Sequence, residues 1–180
     1  MKPKLSIGVC IFISLALVVF GLLFGTMNGY ADDRRQVTAL LEGDNGLLDV
    51  LGYRGADGLN LCVVANRHLK DDADVSALKS AADRLRDERE ALAVKKREDA
   101  KLDAAASAVA EKLLKSQSFL DSERDQKYLD MLTADMQNLQ KSSMAATYNA
   151  AAEDFNKQLE TPVIGALAKL LGVKPCELYE

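Results

Sequence analysis

Tryptophan is absent from this chain, histidine occurs once (His68), and the 180 residues include only three prolines. A single imidazole puts a histidine-based metal cluster out of reach, and so few prolines leave long stretches free to stay helical. The three cysteines, Cys10, Cys62 and Cys176, are odd in number, far apart and in no CxxC spacing, so neither a zinc site nor a disulfide framework is indicated. Positive charge is never concentrated. The longest basic run is Lys95-Lys96-Arg97, acids follow it at once, and the net charge is −4, which argues against a nucleic-acid surface. The hydrolase motifs GxSxG and HExxH do not occur, and Gly52, Gly55 and Gly58 lack the GK[ST] of a phosphate loop. No catalytic residue, metal ligand or cofactor-binding residue is put forward, and no cofactor is called for.

What is present in quantity is alanine, leucine, lysine, aspartate and glutamate, a helical composition. Leu5 to Met27 runs 23 residues without a charge. As a helix it would reach ~35 Å, enough to cross a ~30 Å hydrocarbon core with some tilt. A cleaved signal peptide is the alternative: Lys2 and Lys4 form a basic start, and Gly29-Tyr30-Ala31 is a small-x-small site. A cleavable apolar region is usually only about 7–15 residues, so a retained signal-anchor is expected. Lys2 and Lys4 before the span balance Arg34 and Arg35 after it, which leaves the side of the main domain undetermined. Gly21, Gly25 and Gly29 fall on one helix face, where two membrane helices could approach closely and self-associate.

Beyond the span, residues 28–180 read as one helical domain. From Ala31 to about Asn60 the pattern is poor, and the glycines at 52, 55 and 58 are expected to break or bend helix into short pieces. Asp74 is the expected N-cap of the next helix. Its stripe Val75, Leu78, Ala82, Leu85 and Leu92 resumes as Leu102, Ala106, Val109 and Leu113 across Lys95–Lys101, which reads as the solvated face of one long helix. The period breaks near Ser116–Asp121. Asp121 or Ser122 can then cap a final helix running to about Glu160, close to 40 residues. Apolar stripes of that length must be hidden against one another, so the fold class is all-α: an N-terminal transmembrane helix followed by an antiparallel bundle of long, coiled-coil-like helices.

One pair occurs twice in the final helix: Tyr148-Asn149 and, seven residues on, Phe155-Asn156. Both rings point into the seam, and each asparagine stands ~100° round the helix at its edge, able to donate and accept at once. The repeat therefore reads as a register device, with a ligand pocket as the lesser alternative. After Pro162, the residues Val163, Ile164, Leu167, Leu170 and Leu171 make a short amphipathic helix ending at Gly172, a natural C′ position. Capping the bundle end is its expected role, ahead of lying on a membrane surface.

These residues also carry a resemblance. Tyr148-Asn149, Phe155-Asn156, Pro162, the run AKLLGVKP from Ala168 to Pro175, and Leu178-Tyr179-Glu180 resemble, in that order, the C-terminal end of the LemA family. The resemblance covers roughly residues 119–180. Nearer the start of the domain, YRGADGLNLCVV offers only Arg54, Asp57 and Asn60 as counterparts of the family pattern and lacks its proline. The resemblance implies a divergent member with one membrane helix and a helical domain, and no established catalytic residue to carry over. The function expected is that of a membrane-anchored, non-catalytic interaction or scaffold module. Its partners would be the lipid bilayer and an unidentified protein, with self-association also open and nucleic acid not expected. Two alternatives remain: a soluble helical binding module released by cleavage, and an enzyme using carboxylates in an inter-helix cleft.

Overall fold

The computed structural model describes residues 6–180, so Lys2, Lys4 and Leu5 lie outside the described residues. Within them are eight helices and no strand: α1 (Ile7–Glu42), α2 (Leu47–Ala65), α3 (Ala73–Arg86), α4 (Leu92–Leu113), α5 (Gln117–Leu120), α6 (Glu123–Gln140), α7 (Met144–Leu159) and α8 (Ile164–Leu170). The chain divides into two compact units. One comprises the residues up to Thr38 together with Ala151–Cys176; the other comprises Ala39–Ala150 with Glu177–Glu180.

In the larger unit, α2 packs against α3, α4 and α6, and α3 packs against α4. The contacts give the directions. Gly55 lies against Ala82 and Arg86, while Cys62 donates to the carbonyl of Val75, so α2 and α3 are antiparallel. Lys95 reaches back to Leu85 while Lys112 reaches Asp72, which makes α3 and α4 antiparallel too. Leu61, Leu78, Leu85, Leu102, Val109 and Leu113 are buried to within 1 % and fill the space between them. At roughly 1.5–3 kcal/mol for each such side chain, this shared apolar seam supplies most of the stability.

Several boundaries differ from the sequence expectation. The middle helix is two helices, because the chain turns back at residues 87–91 and the Lys95 ammonium closes the end of α3, donating to the carbonyls of Leu85 and Asp87 at 2.7 Å each. The charged run Lys95–Lys101 is accordingly no simple solvated face, for Lys95 and Glu98 are 3 % and 2 % exposed. The final helix is also two helices. The Ser142 hydroxyl accepts the Met144 N–H at 3.2 Å and so offers the backbone an alternative to continuing α6, while the Ser143 carbonyl takes the Thr147 N–H in a helical bond that enters α7. Asp72, not Asp74, caps α3, accepting from the N–H groups of Asp74 and Val75, and Ser122 caps α6.

The glycines do not break α2. Gly55 and Gly58 let it approach its neighbours: a Cβ at Gly58 would stand 2.7 Å from a Leu102 methyl. At Gly52 no neighbouring atom lies within 4 Å of that position.

In the smaller unit α1 continues unbroken past Met27, where the apolar run ends, to the unit's limit at Thr38. Its apolar part is exposed: an 18-residue window has mean hydropathy 2.9 and none of it is buried. Tyr30 and Val37 are its buried residues. The Tyr30 ring meets Phe155 edge-on with centroids 6.0 Å apart, and its hydroxyl donates to the Gln158 carbonyl at 2.9 Å. α8 follows α7 closely because Gly165 has no side chain to strike the Leu159 backbone. Of the apolar residues expected to pack in and after α8, Leu167 and Leu171 are half-buried. α8 buries only Gly165 and Ala168, leaving Val163, Ile164 and Leu170 at 77 %, 56 % and 83 % exposure.

Three substitutions test this packing. Phe155, 1 % exposed, should cost ~3–5 kcal/mol as Phe155→Ala in urea unfolding, and a loss below ~0.5 kcal/mol would place the ring outside the core. Gly58→Ala should destabilise by ~1–3 kcal/mol through overpacking. Gly52→Ala, with open space for its methyl, should instead stabilise by up to ~1 kcal/mol.

Candidate functional site

Along α2 the inward positions step by four and three: Leu47, Leu51, Arg54, Gly58, Leu61, Ala65. Arg54 thus occupies a core position and is 1 % exposed. Its planar guanidinium satisfies three partners at once. Nε donates to Asp99 at 2.7 Å, Nη2 to Asp103 at 2.7 Å, and Nη1 to the Met136 carbonyl near the negative end of α6 at 2.6 Å. Asp99 and Asp103 lie one turn apart on α4 and so reach the same cation. Asp103 also accepts from Gln140 at 2.6 Å. Burial alone would lower the pKa of Arg54; Asp99 and Asp103 overcome it and raise it. Burial pushes the Asp103 carboxyl up, and Arg54 offsets this only in part.

The segment Val173–Glu180, which is neither helix nor strand, brings Tyr179 into this network. The Tyr179 hydroxyl donates to the free Asp99 oxygen at 3.0 Å, and the Lys96 ammonium stands 4.9 Å from the ring centre. Burial, then the Asp99 charge, raises the phenol well above its ordinary range. Around Tyr179 the segment is held by side chains. Asn149 donates to the Tyr179 carbonyl at 2.9 Å and accepts its N–H at 2.8 Å, and the Tyr148 hydroxyl donates to the Glu177 carbonyl at 2.5 Å. The Glu177 carboxylate takes the Ala93 N–H at the start of α4.

Asn156 treats Cys176 in the same way, at 2.9 and 2.7 Å. Each amide therefore acts as a peptide group would in a β-ladder. The interval also has a physical reason: seven helical residues rise ~10.5 Å, and three residues of extended chain, the step from Cys176 to Tyr179, advance about 10 Å.

Of the other residues singled out in the sequence, Phe155 packs on Tyr30, Pro162 is exposed between α7 and α8, and Gly172 takes φ +89°, a left-handed turn that glycine adopts freely. Among the described residues, no atom beyond the chain neighbours and the helix's own backbone stands within 4 Å of where a Cβ would lie on Gly21, Gly25 or Gly29. The sequence reading missed the network on Arg54, although a charge in phase with an apolar stripe was a visible signal.

It also missed a second cluster. Asp125, 2 % exposed at the start of α6, binds Arg67 at 2.5 Å, His68 Nε2 at 2.8 Å and Arg124 at 3.3 Å. The other ring nitrogen of His68 meets the Ser118 hydroxyl at 3.0 Å. The hydrogen bond with His68, joined by the guanidiniums, holds the Asp125 carboxyl below its ordinary range.

The larger unit also carries a cleft of about 660 Å³ beside α2, lined by Glu42, Asp49, Gly52, Tyr53, Arg86 and Glu88 among others. Among the described residues, no buried side-chain nitrogen or oxygen lacks a hydrogen-bond partner, and no group of three or more His, Cys, Asp and Glu could hold a metal ion. What this arrangement can do chemically is join helices and grip an extended segment by its backbone. No family model, no curated protein and no solved structure matches the chain.

Folded Asp125 binds its proton more weakly than the unfolded residue does. It therefore adds stability above the ordinary carboxylate range near pH 4, and that stability is lost as pH falls through the depressed value. Asp125→Asn should shrink the difference in urea midpoint between about pH 7 and about pH 3; an unchanged difference would show that Asp125 does not carry it.

Proposed function

We propose that the chain is a single-pass membrane protein of the LemA type, a divergent member whose helical domain binds protein partners without catalysis. One observation carries the reading: the 18-residue window of mean hydropathy 2.9 in which nothing is buried. Exposed apolar surface on that scale is what lipid covers and water does not tolerate. The LemA assignment rests on the ordered residues from Tyr148 to Glu180. Retention of the helix is supported by α1 itself. The small-x-small site at Gly29–Ala31 lies inside an unbroken helix, with Tyr30 held by Phe155 and Gln158.

A binding role is favoured because the buried Glu98 and Asp125 are already matched by cations, Glu98 by Arg84 and Lys101 and Asp125 by Arg67 and Arg124, while the half-buried Asp99 and Asp103 pair with Arg54. A general acid or base needs a carboxyl left poised for transfer, so an enzyme built on inter-helix carboxylates is the least favoured reading. Partner contact would fall on exposed residues such as Tyr53 in the cleft beside α2.

Carbonate extraction of membranes tests the anchor. The full chain, starting at its own first residue by N-terminal sequencing, should stay in the pellet. A soluble product beginning after Ala31 would establish the released module instead.

A further inference from the structure

We infer that α8 is a second membrane contact: its exposed apolar face lies in the lipid interface, beside the point where α1 leaves the bilayer. The inference rests on the anchored reading given above, and it concerns a surface that reading does not use. The apolar run ends at Met27, followed by Asn28, and Tyr30 stands three residues past it and two before the first charge at Asp32, where an amphipathic ring belongs at the headgroup level. The Tyr30 hydroxyl is bonded to the Gln158 carbonyl, in the last turn of α7. From Gln158 the chain has only six residues to Ile164, and the Thr161 hydroxyl shortens even that by accepting the Gly165 N–H at 2.9 Å.

α8 therefore starts within a short reach of the membrane end of α1, inside the same compact unit. Its buried positions are its small ones, Gly165 and Ala168, while Val163, Ile164 and Leu170 stand outward at 77 %, 56 % and 83 % exposure. Leu167 and Leu171 are half-buried, so it is Val163, Ile164 and Leu170 that form the uncovered face. The charges nearby suit a headgroup layer. Arg34 donates to the Lys174 carbonyl, Lys169 and Lys174 flank the end of α8, and Asp32, Asp33 and Glu160 stand nearby, so this level carries the mixed charge of a zwitterionic layer. Lipid is favoured over a protein occupant because the neighbouring apolar surface in this unit is the spanning helix itself.

The absence of tryptophan gives a clean test on the full chain. Leu170→Trp and Phe20→Trp are each reconstituted in vesicles of phosphatidylcholine and phosphatidylglycerol, with acyl chains either plain or brominated near the headgroup. Both single tryptophans should lose roughly half of their emission to brominated lipid, as for a ring ~5–10 Å inside the boundary. Adding Val163→Asp and Ile164→Asp should abolish the loss at position 170 and leave that at position 20 unchanged. If Phe20→Trp is quenched but Leu170→Trp is not and remains open to iodide, the α8 face meets water, and the inference is overturned while the anchor stands. If Leu170→Trp is shielded from iodide yet unquenched by bromine, protein covers the face, which also overturns it. Loss of quenching at position 20 as well would remove the anchor and this inference together.

Discussion

A buried guanidinium is tolerable only when all its donors are met, and much of the larger unit is arranged around meeting those of Arg54. The cost of stripping water from that charge is several kcal/mol, and the return comes from two carboxylates and a carbonyl held in the plane of the fork. Those partners belong to α4 and α6, while Arg54 belongs to α2. One side chain thus fixes the axial position of three helices at once. An apolar residue of similar volume could fill the space, yet leucine stripes accept a slip of one heptad that this fork does not. Tyr179 extends the constraint to the segment after α8, since its hydroxyl needs the Asp99 oxygen that Arg54 leaves free.

That segment is a second solution to the same difficulty. Residues without helix or strand have no ladder to satisfy their peptide groups, and burying such groups unpaired is costly. Two asparagines on α7 supply the missing ladder, each giving one donor and one acceptor to a single residue. The match between a heptad of helix and three residues of extended chain explains the doubled pair better than seam packing alone. The rings set the register of α7, and the amides use that register to fix the segment.

How much of this was legible depends on the range of each interaction. The all-helical class, the long apolar helix, the Ser122 cap and the Gly172 turn are written in neighbouring residues. The heptad of asparagines was visible, but its occupant was not, because no pattern in VKPCELYE announces what will hold its backbone. Leu85 and Leu92 are seven apart, so the apolar phase survives the turn between α3 and α4, and periodicity could not reveal it. Gly55 and Gly58 looked like helix breakers, because a glycine's use depends on what comes against it. Here that is Ala82, Arg86 and Leu102, far along the chain. Arg54 interrupts an apolar stripe in plain view, yet Asp99 and Asp103 lie 45 and 49 residues away in a run that reads as surface.

The buried charges also bear on function. Catalytic carboxylates are kept in conflict, desolvated or crowded by like charge so that a proton is easily moved. In this chain cations relieve Glu98 and Asp125, whereas burial still raises Asp103, and burial with the Asp135 charge raises Asp57. Glu98 lies among Arg84, Arg97 and Lys101, Asp125 among Arg67, Arg124 and His68, and the Lys95 ammonium closes a helix end. Groups so engaged hold helices in place. The exposed chemistry is divided. Mixed charge and the Tyr53 ring line the cleft beside α2, which suits a polar protein surface, while Val163, Ile164 and Leu170 in the smaller unit present bare hydrocarbon. On the anchored reading proposed above, the bare hydrocarbon would face lipid and the cleft would be left for a protein partner.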